Sequence, residues 1–155
     1  MTKVLVVYDS KYGNTKLAAE NILQGLSRVK GIEVSISYVK EIDIGKVADC
    51  DALVLGAPNH MGGPSRTIKH FIDSLVELDL KAKNVAVFGT YSGRVRYDRG
   101  VKKMEKMVKN KLPKLTLISP GLSIRVSGVT GPIVDGELPK CVNFGEKIAN
   151  ALMTQ

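Results

Sequence analysis

The sequence predicts an α/β fold of the doubly wound type: a three-layer sandwich around a five-stranded parallel sheet in the order 2-1-3-4-5. Three observations carry that prediction. Apolar, β-rich runs alternate with segments of 3.6-residue apolar period almost to the end of the chain. Two of those runs, residues 52–55 and 85–88, are apolar throughout, as strands covered by helices on both faces must be. The loops after the first, third and fourth runs are rich in glycine, hydroxyl and amide groups, and right-handed crossovers gather such loops at one rim of the sheet.

Each element follows from its local pattern. Residues 4–8 (Val-Leu-Val-Val-Tyr) form the first strand, and a helix follows with Ala18, Ile22, Gly25, Leu26 and Val29 on one face. Residues 32–38 alternate apolar with polar, which suits a strand near a sheet edge. A short helix fits 44–48. After the third strand, a helix places Ile68, Phe71, Ile72 and Leu75 together, with Pro64 at its start. The helix after the fourth strand sets Val101, Met104, Met107 and Val108 on one side. A fifth strand region begins at 115–118, is interrupted by Pro120-Gly121 and resumes over 122–126. Residues 138–152 close the chain as a helix with Pro139 near its start. Nothing in the chain reads as a repeat, a low-complexity tract or a linker, so residues 1–155 are expected to form one domain.

At 155 residues and 44% apolar content, such a domain buries a full core. No stretch reaches the length of a membrane span, no signal-peptide pattern opens the chain, and a cytoplasmic protein is expected. Cys50 and Cys141 belong to no CxxC or Cys/His cluster and are expected as free thiols; Cys141 shares the apolar side of its helix with Phe144, Ile148 and Leu152. The formal charge of +8 is local. Nine basic residues lie between Arg94 and Lys114 against Asp98 and Glu105, and the rest of the chain is close to neutral.

The first strand runs into Asp9-Ser10-Lys11-Tyr12-Gly13-Asn14-Thr15 and then a helix. The first turn of a helix leaves N–H donors without partners and carries partial positive charge, so this junction suits a phosphate monoester, with the Ser10 and Thr15 hydroxyls closing around it. An ordinary polar helix cap explains the segment equally well taken alone. The loop after the third strand, GAPNHMGGP (56–64), has the glycines and bracketing prolines of a shaped rim loop that lets backbone approach a flat ligand. His60 by itself reads more readily as a surface residue than as a ligand, and His70 lies on the polar side of its helix with no role. The loop after the fourth strand, GTYSGRVRY (89–97), brings Tyr91 and Tyr97 to the same rim, where each either stacks on a ring or packs on backbone. Neither GxGxxG after a strand nor GxxxxGK[ST] occurs, which argues against a dinucleotide fold and a P-loop ATPase. Asp9 has no acidic neighbour, which argues against a receiver domain.

The SKYGNT, GAPNHMGGPS and FGTYSG segments together resemble flavodoxin-like, FMN-binding proteins over nearly the whole chain. The resemblance is closest to the flavodoxin domain of A-type (di-iron) flavoproteins, which carry a segment similar to Ser119-Pro120-Gly121-Leu122-Ser123-Ile124-Arg125-Val126. It implies FMN as cofactor, with Ser10, Lys11, Tyr12, Gly13, Asn14 and Thr15 holding its phosphate. Pro58, Asn59, His60, Met61 and Gly62 would line one side of the isoalloxazine, and Thr90, Tyr91, Ser92 and Gly93 the other. Tyr97 either covers the flavin or points away. Tyr12 stands where the family commonly has a threonine, as in quinone-reductase relatives. With only two histidines, the chain lacks the di-iron ligand set, so the resemblance is to the flavin module alone.

The expected function is an FMN-dependent electron carrier between redox partners. The alternative is an NAD(P)H-dependent quinone-type reductase, and a third reading is an interaction module without FMN. In the carrier, Gly62 and Gly63 would let a peptide turn toward flavin N5. Arg94 and Arg96, where they face the ring, would make its potential less negative. The basic residues Arg99, Lys102, Lys103, Lys106 and Lys109 lie opposite the apolar face of their helix. They read either as a solvated exterior or as a docking surface for an acidic redox protein such as a ferredoxin or rubredoxin. Nucleic acid fits less well, since no aromatic residues interleave the charge.

Overall fold

The computed structural model describes residues 1–93 and 97–155. Its strands and helices run in the order β1 (Thr2–Tyr8), α1 (Asn14–Ser27), β2 (Ile32–Tyr38), α2 (Ile44–Asp49), β3 (Ala52–His60), β4 (Gly63–Pro64), α3 (Arg66–Leu75), β5 (Asn84–Tyr91), α4 (Arg99–Lys111), β6 (Thr116–Leu117), β7 (Leu122–Arg125) and α5 (Glu137–Met153). The sheet order is β2-β1-β3-β5-β6, and every one of those pairings is parallel. β7 also pairs parallel with β5, beyond β6, along Phe88 to Tyr91. β6 and β7 are therefore one interrupted fifth strand, split where Pro120 removes a ladder donor. The topology is the expected 2-1-3-4-5.

Successive side chains on a strand face opposite ways, so each inner strand feeds two cores. Val4 and Val6, with Val54, Ala86, Phe88 and Ile124, face α1 and α5. Leu5 and Val7, with Leu53, Leu55, Val85 and Val87, face α2, α3 and α4. The apolar stripes read from the sequence supply the helical halves: Ala18, Ile22 and Leu26 from α1, Ile68 and Ile72 from α3, Val101, Met104 and Val108 from α4. β2, at the edge, is only partly buried. Cys141 is buried among the first core, and burial pushes its thiol up to about 12; Cys50, in the second, rises to about 11 for the same reason. Both are free and inert as nucleophiles.

Two local departures matter for the rim. The loop after the third strand continues as strand through His60 and folds back antiparallel, pairing Asn59 with Pro64 and His60 with Gly63. Pro64 therefore belongs to this hairpin and does not begin the next helix, which starts two residues later behind Ser65. The Ser65 hydroxyl donates to the buried Asp9 carboxylate at 2.5 Å, and the Ser65 N–H donates to Pro58 O at 3.1 Å. Those bonds pin the base of the hairpin to the end of β1.

Candidate functional site

The winding direction of the sheet changes between β1 and β3, and the carboxyl ends of β1, β3 and β5 open there into a cleft. Ser10, Lys11, Tyr12, Asn14 and Thr15 line its first wall, Pro58, Asn59 and His60 the second, and Thr90, Tyr91 and Ser92 the third. The sequence reading thus brings together eleven of its sixteen candidates. Gly13, Met61, Gly62 and Gly93 do not line the cleft; each sits at positive φ in a turn that shapes it. Tyr97 is exposed and lies beside Tyr91, ring centroids 6.1 Å apart, over a smaller adjoining hollow. Arg94 and Arg96 fall outside the described residues.

The first wall is built as an anion cradle. Gly13 caps α1 at φ 91, a left-handed conformation that costs glycine little. The helix has no side-chain cap and no acidic residue in its first turn. Ser10 Oγ sits inside the turn and accepts from the N–H of Gly13 at 3.1 Å and of Lys16 at 3.4 Å. Lys11, with its ammonium 5.4 Å from the Tyr12 ring centre, adds positive charge at the mouth.

The buried hydroxyls of Thr15 and Thr90 are 2.9 Å apart and tie the first wall to the third. Losing one partner strands the other without a bond, at about 1–3 kcal/mol, whereas losing both is far cheaper. Thr15→Val and Thr90→Val are each expected to destabilise the FMN-free chain by that amount. The double variant should cost clearly less than the two added together. Urea denaturation reads all three, and additive costs would show that the hydroxyls are not coupled.

A fourth wall was not found in the sequence. Val126, Gly128 and Val129 complete the cleft, from a strap that follows β7. The strap is held by an antiparallel bridge between Val126 and Ile133 and by the Ser127 N–H donating to Pro132 O at 2.8 Å. A Cβ on Gly131 would come within 2.6 Å of Asn14 Oδ1, so the strap lies directly on the phosphate turn. At its far end the Arg125 N–H donates to Glu137 Oε1 at 2.8 Å. Burial works against ionisation of Glu137, but Lys140 and this N–H outweigh it and hold the carboxyl below its ordinary range. The glycines at 128 and 131 and Pro132 signal a turn-rich loop, but they do not say what it packs on.

The donor set fits a phosphate at one end and a flat, polar-edged group at the other. Asn59 Oδ1 is buried with no hydrogen-bond partner among the described residues, and a Cβ on Gly100 of α4 would lie 3.2 Å from it. No carboxylate lines the cleft among the described residues.

Fold and cleft together define a doubly wound α/β protein with an anion-suited turn at its switch point. A model of the flavodoxin domain matches residues 5–125, and the chain belongs to that family. The chain is 40% identical to a flavodoxin of Aquifex aeolicus over 76 residues, which span 49% of this chain and 41% of that protein. It is 30% identical to a flavodoxin of Maridesulfovibrio salexigens, across 98% of this chain and all of that one. Among solved structures, the flavodiiron protein of Giardia intestinalis superposes with a TM-score of 0.81 at 21% identity, over 99% of this chain and 37% of that one. The cofactor of the family is FMN, and the chain is an FMN-binding electron-transfer protein of the flavodoxin type. No helix among the described residues is long and apolar enough to cross a membrane.

Proposed function

We propose that the protein shuttles electrons between protein redox partners, as a single domain over residues 1–155. The observation that carries this reading is the lining of the cleft: hydroxyls, amides, aromatic edges, backbone, Lys11 and the single imidazole of His60, with no carboxylate among the described residues. Such residues bind and orient, and the chemistry rests with the cofactor. When bound, FMN supplies the store for electrons.

The chain's own residues do the rest. Ser10, Thr15 and the N–H groups of the 10–16 turn hold the phosphate, and Lys11 and Lys16 offset its charge. Pro58, Asn59 and His60 position one side of the ring, and Thr90, Tyr91 and Ser92 the other. Val126 and Val129 exclude water along the strap edge. The surplus of basic residues between Arg94 and Lys114 favours an acidic partner over a basic one. The two free, buried thiols support a cytoplasmic setting.

The test is the visible spectrum of the purified protein followed through stepwise anaerobic reduction. A shuttle shows flavin absorbance, two resolved one-electron steps and negligible oxidation of NAD(P)H. Rapid NAD(P)H oxidation with only two-electron behaviour would instead establish a reductase, and colourless protein that takes up no FMN would refute both.

A further inference from the structure

The turn between β3 and β4 sits on the rim outside the lining of the cleft. β3 and β4 join through Met61 and Gly62, at φ 53 and 81. Positive φ at both central residues is the pattern of a type I′ turn, which favours asparagine and glycine. Met61 is the one non-glycine residue at positive φ among the described residues, a conformation costing about 1–2 kcal/mol. Its side chain is fully exposed, at 103%. It therefore adds nothing to the core, and its backbone opposes folding.

Three cations surround this turn from two helices. A Cβ on Gly62 would lie 3.2 Å from the guanidinium of Arg99, at the start of α4. A Cβ on Gly63 would lie 3.6 Å from Lys103 Nζ and 3.8 Å from Lys69 Nζ, so an ammonium from α4 and one from α3 crowd the same point. None of the three has an acidic partner among the described residues. The nearby carboxylates are engaged elsewhere: Asp98 pairs with Lys102 at 2.8 Å, Asp73 pairs with Lys111, and Glu105 accepts from the Gly121 N–H at 3.1 Å.

An exposed apolar tip within unneutralised cations has the anatomy of a protein contact, an apolar centre with a charged rim. Met61 is exposed while Gly62 and Gly63 are buried beneath the cations, and none of the three cations lines the cleft, so they suit a protein surface better than the phosphates of a dinucleotide held in a concave site. The strands leading to the turn carry Asn59 and His60, which line the cleft, so a partner seated here abuts the cofactor site. We propose that Met61, with Arg99, Lys103 and Lys69, forms the docking contact for an acidic protein redox partner. This rests on the shuttle reading. It also confines docking to one end of the basic segment. α4 rises 1.5 Å per residue away from the rim, and Lys111 and Lys114 line a groove with residues 75–82, away from the cleft.

The probe is an acidic rubredoxin titrated by heteronuclear NMR into the FMN-loaded and the FMN-free chain, at low and high salt. Lys69→Glu with Lys103→Glu is expected to weaken binding at least tenfold, and Met61→Ala severalfold, with both variants unfolding at the wild-type urea concentration or higher. Lys106→Glu with Lys109→Glu makes the same charge change further along α4 and is expected to weaken binding less than threefold. Equal losses for both pairs would overturn the local contact in favour of a diffuse field. Undiminished binding by the Lys69/Lys103 variant would overturn it outright. A wild-type chain that binds neither a rubredoxin nor a ferredoxin would instead count against the shuttle reading. Weakened NADPH binding by the Lys69/Lys103 variant, with rubredoxin binding unchanged, would assign the cations to a dinucleotide.

Discussion

Gly145→Ala is expected to destabilise the FMN-free chain by about 3 kcal/mol, the upper end of the usual cost of overpacking a core. Gly145 of α5 and Gly25 of α1 mark where the two helices cross with their backbones in contact. A Cβ on Gly145 would overlap Ile22 O and come within 2.8 Å of Leu26 N, and one on Gly25 would overlap Val142 O. Backbone atoms cannot swing aside as a side-chain end can, so one helix must shift. The consequence reaches the cleft, because α1 begins at the phosphate turn and α5 anchors the strap through Glu137. Gly136→Ala is the reference. Unlike Gly145 it sits at positive φ, at 90, and a Cβ there meets nothing within 4 Å, leaving only the conformational cost of about 1–2 kcal/mol. Urea denaturation of both variants decides the matter: a Gly145→Ala cost no larger than that of Gly136→Ala would show that the helices can separate freely.

Ser10→Ala is expected to weaken FMN binding roughly 10- to 100-fold, since a hydrogen bond to a charged group contributes about 1.5–3 kcal/mol. Ser10 Oγ organises the turn through Gly13 and Lys16, so its loss removes both a direct donor and the order of two neighbouring N–H groups. The readout is quenching of free FMN fluorescence on titration with FMN-free protein. Riboflavin, which lacks the phosphate, should bind wild type and variant with similar affinity. A less than twofold change for FMN, or an equal loss for riboflavin, would remove Ser10 from the phosphate site.

The alternation of strands and helices was legible because its signals are local. Residues 52–55 and 85–88 are apolar on every position, and the helical stripes at Ile68–Ile72 and Val101–Val108 repeat at 3.6. The break at Pro120-Gly121 also announced itself, since proline lacks the donor a ladder needs. That the turn at Ser10–Thr15 and the walls at Pro58–His60 and Thr90–Ser92 meet at one cleft was readable for a related reason: a parallel sheet delivers the loops after its inner strands to one rim whatever their side chains.

Other features had no local signal. The hairpin at Asn59–Pro64 closes through Met61-Gly62, where Asn-Gly would have announced it, so pairing with β3 rather than turn propensity sets its shape. The strap over Asn14 reads as a loop of glycine and proline, and only packing says that it covers the cleft. Phe88 fills the space beside Gly56, its partner across the β3–β5 register, a complementarity between residues 32 positions apart. The charge of the segment between Arg94 and Lys114 was evident as a sum. Its partition into a cluster at the cofactor rim and lysines at the other end of the sheet was not, because that depends on the direction in which α4 runs. Periodicity, turn chemistry and connection rules act within a few residues, so fold class, topology and the meeting of the three rim loops follow from composition and order. Which loop covers the cleft, which glycines admit a neighbouring helix and which cations stay unpaired are contacts between distant segments, and those exist only once the chain has packed.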